Sequence, residues 1–134
     1  LRMSRGLGDV YKRQANGMAA SKFDGEFQDP ESTDRVSNPD KLDELIHRTP
    51  GYFGWQQEYW IAHCDDYCAF VGYVGWKELV DMGIDGQIEK NYDQNLNGFD
   101  IKDVKECMYN EGVMQGYLFR CLHCGEHFLY VDCD

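Results

Sequence analysis

The sequence has 134 residues, enough for one domain with its own buried core, and this length excludes a multidomain enzyme. Its 13 Lys and Arg residues are outnumbered by 24 Asp and Glu residues, and the formal net charge of -11 would repel a phosphate backbone. We therefore predict no nucleic-acid partner. No apolar run approaches the roughly 20 residues that a membrane span requires, which predicts a cytoplasmic protein without a membrane partner.

Residues 1–14 differ from the rest of the chain because they are basic and show no apolar periodicity. The stretch from Ser4 to Gln14 resembles a translated library adapter. We therefore treat residues 1–14 as a non-native tail and assign residues 15–134 to one domain. Residues 15–33 are polar and rich in turn-forming residues, which predicts an extended loop.

Helix and strand patterns begin near residue 38. Asn38 and Pro39 suit the start of a short helix, which the proline at position 50 ends at about residue 48. Aromatic and β-branched runs predict strands over residues 55–62, where a helix stays open as an alternative, and over residues 69–74. Apolar residues at helical spacing predict two more helices, which end before Gly83 and Gly112.

The end of the chain predicts a β-hairpin. Residues 117–120 and 128–131 are strand-like, and they flank a tight Cys-x-x-Cys-Gly turn. Together with the short helices, this hairpin predicts a small α+β domain.

The most specific motif is Cys121-Leu-His-Cys124-Gly125. In a zinc knuckle, two thiolates at this spacing bind one ion, and the glycine permits the positive φ of a sharp turn. Cys64 and Cys68 form a second pair, whose spacing also lies within the usual range for ligands. The four cysteines predict a structural site for zinc (Zn2+); the alternative is that they are reduced, buried thiols.

The remaining histidines and cysteines give weaker predictions. His63 and His123 each lie beside a cysteine, so either could replace a thiolate, although a role next to the ligands is favoured. His127 could likewise replace a thiolate as a ligand. Cys107 lies on the apolar face of its predicted helix and is assigned to the core, whereas Cys133 has no predicted role.

Two other patterns favour plain structural roles. The stretch Asp93-Gln-Asn-Leu-Asn97-Gly98 resembles part of an EF-hand loop, but the twelfth position is Val104 instead of the required Glu. We therefore predict a polar loop that caps a helix beginning near Asp100. The aromatic residues between positions 52 and 76 are assigned to the core.

Several segments match a known family, and they are Arg48-Thr-Pro-Gly51, Gly54-Trp-Gln-Gln-Glu58, Ala62-His-Cys64, Gly72-Tyr-Val-Gly-Trp76 and Gly116-Tyr-Leu-Phe-Arg-Cys-Leu-His-Cys-Gly125. They closely resemble the CbrC family of bacterial proteins. The resemblance implies a cytoplasmic protein without a characterised reaction, and one family member is linked to tolerance of an E-type colicin. It also implies further Cys-x-x-Cys pairs ahead of position 15 in full-length members, so we expect this chain to be an N-terminally truncated member.

No catalytic motif is recognisable in the sequence, and we assign no catalytic residue. The leading hypothesis is a non-enzymatic, zinc-stabilised protein that interacts with an unidentified protein partner. One alternative is an enzyme or redox protein that uses a cysteine thiolate. Another is an acidic decoy that binds a basic partner, such as a toxin domain.

Overall fold

The computed structural model describes residues 32–49, 51–56 and 58–134. The predictions for residues 1–14, and for the loop before residue 32, lie outside these residues. The described part of the chain contains short helices and antiparallel strands, grouped in runs of each kind, which confirms the α+β class. Within that part, none of the helices combines the length and apolar character needed to cross a membrane.

The chain divides into two compact units, Leu1–Cys68 and Ala69–Asp134. In the first unit, helix α1 comprises Pro39–Arg48. The side chain of Asn38 accepts a hydrogen bond of 2.9 Å from the backbone N–H of Asp40. This cap, together with proline in the first turn, confirms the predicted start of the helix.

The prediction for residues 55–62 is wrong, for the strand and for the alternative helix. Among the described residues of this range, only Ala62 belongs to an element: strand β1 (Ala62–His63), which pairs with β2 (Asp66–Tyr67). The Tyr52 hydroxyl accepts a hydrogen bond of 2.7 Å from the Tyr59 N–H and donates one of 2.5 Å to the Tyr59 carbonyl. A side chain therefore takes the backbone hydrogen bonds that a neighbouring strand would take.

The second unit is built on an antiparallel sheet of three strands, β3 (Ala69–Val74), β4 (Met114–Arg120) and β5 (His127–Cys133), in the order β3-β4-β5. Strand β3 and the C-terminal hairpin are confirmed. In the hairpin, Tyr117 lies opposite Tyr130. The turn that carries the Cys-x-x-Cys-Gly motif is thereby held between two strands that pair along their whole length.

Four short helices connect β3 to β4, and they are α2 (Trp76–Asp81), α3 (Asp85–Asn91), α4 (Gln94–Asn97) and α5 (Ile101–Cys107). The structure confirms the two helices predicted before Gly83 and Gly112, which are α2 and α5. The Asp100 carboxylate caps α5 as expected. The assignment of Cys107 to the core is wrong, because its side chain is exposed. Cys107 is the last residue of α5, and Val104, one turn earlier, is the helical residue that is buried.

These helices pack on one face of the sheet. The buried apolar residues of this core are Val74, Leu79, Ile88, Val104, Met108, Met114, Leu118, Leu129 and Val131. Alternate residues of a strand point to the same face, which explains why Met114 and Leu118 enter the core together. Gly116 lies between them, and a Cβ atom there would come within 2.6 Å of the Met108 sulfur. The core therefore requires glycine at this position.

The outer edge of β5 is paired by amide side chains instead of another strand. The Gln87 side chain accepts a hydrogen bond of 2.6 Å from the backbone N–H of His127, and Asn91 donates one of 3.0 Å to the His127 carbonyl. Farther along the strand, Asn97 donates to the Leu129 carbonyl at 3.3 Å and accepts from the Val131 N–H at 2.8 Å. This pairing closes an edge that would otherwise be open to aggregation.

The EF-hand-like stretch therefore has a structural role. Asn97 is 7% exposed, and its side-chain oxygen bonds to the backbone of β5. The Asp93 carboxylate accepts a hydrogen bond from the backbone N–H of Leu96 and caps α4. Two of the oxygens that calcium would need are thus engaged. The structural role is as predicted, but the predicted loop is wrong, because Gln94–Asn97 form the helix α4 that Asp93 caps, and Asp100 alone caps α5.

The ionisation of Tyr92 makes the free energy of unfolding depend on pH in the alkaline range. Its hydroxyl donates a hydrogen bond of 2.6 Å to the Phe99 carbonyl. Burial, followed by the charges of Asp100 and Asp93, raises the pKa of Tyr92 from 10.0 to about 12. Because the folded-state pKa is the higher one, this contribution to stability is complete below pH 10.0 and is lost as the pH rises towards about 12.

We expect the denaturant midpoint of the wild type to fall more steeply through this pH range than that of Tyr92→Phe. The comparison of slopes matters because lysines and other tyrosines titrate in the same range. Midpoints followed by circular dichroism at several alkaline pH values provide the measurement. Equal slopes for the two proteins would contradict the role assigned to Tyr92.

Candidate metal centre

The turn between β4 and β5 is a knuckle built around the sulfur of Cys121. The Cys121 N–H donates to the Glu126 carbonyl at 2.8 Å, and the Gly125 N–H donates to the Cys121 carbonyl at 3.1 Å. Gly125 has a φ of +77°, as its place after the second cysteine predicted. The N–H groups of His123 and Cys124 donate to the Cys121 sulfur at 3.4 and 3.5 Å. Such hydrogen bonds stabilise the thiolate, which is the form that binds a metal.

A second turn, between β1 and β2, carries Cys64, and His63 precedes it as the last residue of β1. The φ angles of Cys64 and Asp65 are 53° and 56°, in the left-handed region that a two-residue hairpin turn requires. Cysteine rarely adopts this conformation, and strained residues of this kind cluster at functional sites. The Asp65 carboxylate accepts a hydrogen bond of 2.8 Å from the Ser37 N–H and so holds the turn in place. The Cys64 sulfur lies 3.4 Å from Nδ1 of His63.

His63, Cys64, Cys121 and Cys124 form a cluster that could bind a metal ion. Each residue offers one ligand atom, and the four atoms all lie within 4.8 Å of one another. Bonds of about 2.3 Å from zinc to sulfur and about 2.0 Å to nitrogen place the ligands of such a tetrahedron between about 3.5 and 3.8 Å apart. The limit of 4.8 Å on the separations in the cluster is therefore about 1.0 Å above those of a loaded site.

Three of the four predicted cysteines belong to the cluster, and His63 is its fourth member. The sequence named His63 only as an alternative ligand, on the ground that it lies beside Cys64. Cys68 is buried, with 3% of its surface exposed, and its carbonyl accepts a hydrogen bond of 2.7 Å from the Trp60 indole. The assignment of Cys68 as a ligand stays a prediction.

His127 was considered as a ligand, and Cys133 had no predicted role. Neither residue belongs to the cluster. Nδ1 of His127 lies 2.9 Å from the Gln87 side-chain oxygen. Burial, with the charge of Arg120, lowers the pKa of His127, which favours the neutral ring. Burial is also the main cause that raises the pKa of Cys133, so the proton is retained on this thiol.

Residues 13–133 match the uncharacterised protein family UPF0167, and the chain belongs to this family. Its relatives include UPF0167 proteins of Mycobacterium bovis and Mycobacterium tuberculosis, each 38% identical over 124 residues that cover 88% of this chain and 65% of the relative. A UPF0167 protein of Pseudomonas aeruginosa is 34% identical over 119 residues, which cover 88% of this chain and 66% of the relative. The chain thus spans just under two thirds of the length of these relatives. No solved structure matches it significantly. The narrower likeness to the CbrC family stays a prediction.

Proposed function

We propose that this protein binds one structural zinc ion through His63, Cys64, Cys121 and Cys124 and acts as a non-enzymatic interaction protein. The observation that carries the proposal is the approach of three sulfur atoms and one nitrogen atom to within 4.8 Å of one another. When protein side chains fill all four positions of a tetrahedral zinc site, no position is left for a substrate. Such a closed site stabilises the fold and supports a role in binding other proteins.

The chemistry of the ligands supports zinc over the hard cations. Thiolate ligands favour zinc and other soft metals, whereas calcium and magnesium require oxygen ligands. Cys121 is 1% exposed and accepts two hydrogen bonds from backbone N–H groups. These bonds orient the sulfur and help to carry its negative charge, as outer-shell groups do at structural zinc sites.

The metal content of the purified 134-residue chain tests this proposal. We expect one zinc ion per chain, and replacement of zinc by cobalt should give the absorption spectrum of a tetrahedral thiolate site. Cys121→Ser and Cys124→Ser should each strongly reduce bound zinc. Cys107→Ser and Cys133→Ser are the matched controls and should retain it. Zinc-free protein that stays folded would contradict the proposal.

A second comparison identifies the fourth ligand. His63→Ala should weaken zinc binding and alter the cobalt spectrum, because it removes the only nitrogen ligand, whereas Cys68→Ser should leave the spectrum unchanged. The reverse result would restore the four-cysteine set predicted from the sequence and would exclude His63 as a ligand.

The likeness to the CbrC family supports a more specific assignment. We propose that the chain is a cytoplasmic member of that group and, like the one member linked to an E-type colicin, contributes to colicin tolerance through an unidentified protein partner. Bacteria that express the wild-type chain should survive the colicin better than bacteria that express the Cys121→Ser, Cys124→Ser double variant. Equal survival, at equal protein levels, would contradict this role.

A further inference from the structure

The three cysteines of the proposed zinc site differ in their exposure to solvent. Cys64 and Cys124 are exposed, whereas Cys121 is buried. Cys121 also accepts two hydrogen bonds from backbone N–H groups. Hydrogen bonds that stabilise a thiolate reduce its nucleophilicity, and burial keeps oxidants away from it. Oxidation of the site should therefore begin at Cys64 or Cys124.

We propose that Cys64 and Cys124 are an oxidation-sensitive pair, and that a hydroperoxide joins them in a disulfide and so releases the zinc ion. This inference rests on the proposed zinc site. The two sulfur atoms lie within 4.8 Å of each other, and a disulfide requires about 2.0 Å. Both residues lie in turns, where rotation of an exposed side chain can bring the sulfurs together.

The reaction has two steps with hydrogen peroxide as the oxidant. One exposed thiolate attacks a peroxide oxygen, so that a sulfur–oxygen bond forms and the oxygen–oxygen bond breaks; the departing hydroxide takes a proton from solvent and becomes water. The second thiolate then attacks this sulfenic acid, so that the disulfide forms and a second hydroxide leaves as water after taking another proton. Two thiolates, one peroxide and two protons give one disulfide and two waters.

Loss of these two ligands removes half of the donor set. The zinc ion keeps only His63 and Cys121, which are too few for a stable structural site, and it leaves as Zn²⁺. Two of the other cysteines are less suited to this reaction, whereas Cys107 is exposed and is therefore replaced in the control variant below. Cys68 is 3% exposed, and burial raises the pKa of Cys133, which lowers its fraction of reactive thiolate.

The experiment treats the zinc-loaded 134-residue chain with hydrogen peroxide, follows zinc release with a chromogenic chelator, and maps disulfides by mass spectrometry after alkylation. We expect the loss of two thiols for each zinc ion released, with the peptides of Cys64 and Cys124 joined. A reductant and added zinc should restore the loaded form. The double variant Cys107→Ser, Cys133→Ser is the control and should release zinc at the wild-type rate.

The results that would contradict this inference differ from the result that would contradict the proposed function. Zinc-loaded protein that retains its metal in peroxide, or that forms a Cys121–Cys124 disulfide instead, would overturn the oxidation-sensitive pair and leave the zinc site intact. A chain that binds no zinc in the first place would overturn both.

Discussion

Removal of the zinc ion is expected to lower the free energy of unfolding by on the order of 10 kcal/mol, which is the contribution that structural zinc makes at neutral pH. Domains of ordinary size have a total stability of about 5–15 kcal/mol, so a loss of this size is enough to unfold the chain. The reason lies in the positions of the ligands, because Cys64 and Cys121 are far apart in the sequence. The unfolded chain does not hold them together, and the free energy of zinc binding becomes free energy of folding.

Denaturant unfolding with and without a strong chelator measures this effect. The midpoint should fall sharply with the chelator and should recover when zinc is added in excess, but not when calcium is added. Cys121→Ser is the control, because its lower midpoint should not respond to the chelator. A metal-free wild type with an unchanged midpoint would show that zinc does not stabilise this fold.

The part of the site that could be predicted from the sequence is the part that depends on local geometry. The spacing of Cys121 and Cys124, and the glycine after them, specify a knuckle with little help from the rest of the chain. The flanking strands were recognisable because their residues are aromatic or β-branched and because a tight turn joins them. The structure has this hairpin, with Phe119 opposite Phe128.

The other half of the site depends on contacts that spacing does not encode. The sequence favoured Cys68 over His63, since both cysteines lie within the usual distance along the chain. The left-handed conformation of Cys64 belongs to a two-residue turn, and the pairing of His63 with Asp66 sets that turn. Residue spacing does not predict such a short hairpin.

The failed prediction for residues 55–62 has a related cause. Aromatic residues are common in strands, but here they also supply hydrogen bonds to the backbone. The Trp60 indole donates to the Cys68 carbonyl at 2.7 Å, and the Tyr52 hydroxyl bonds to both backbone groups of Tyr59. Propensity describes how a side chain fits a pleated surface, and hydrogen bonds from side chains to the backbone override it here.

Replacement of Asn97, which lies outside the metal centre, is expected to give a large loss of stability for a polar residue. Asn97→Ala leaves the Val131 N–H and the Leu129 carbonyl without their side-chain partner. Each such group, when buried, costs about 1–3 kcal/mol, so we expect a loss of about 2–6 kcal/mol. Asn95→Ala, on the exposed side of α4, is the matched control and should change the stability by about 0.5 kcal/mol or less.

Asn97→Asp distinguishes this structural role from calcium binding. An aspartate keeps the oxygen that accepts from the Val131 N–H, but it buries a negative charge and sets a carboxylate oxygen against the carbonyls of Asp93 and Leu129, to which the amide donates. Its stability should therefore fall to that of Asn97→Ala or below. If the loop bound calcium, the added carboxylate would strengthen the site, and calcium would raise the unfolding midpoint of this variant. We expect no response to calcium, because the Asp93 carboxylate caps α4 and the twelfth position of the loop is Val104. A calcium-dependent rise in the midpoint would show that this loop has a second role.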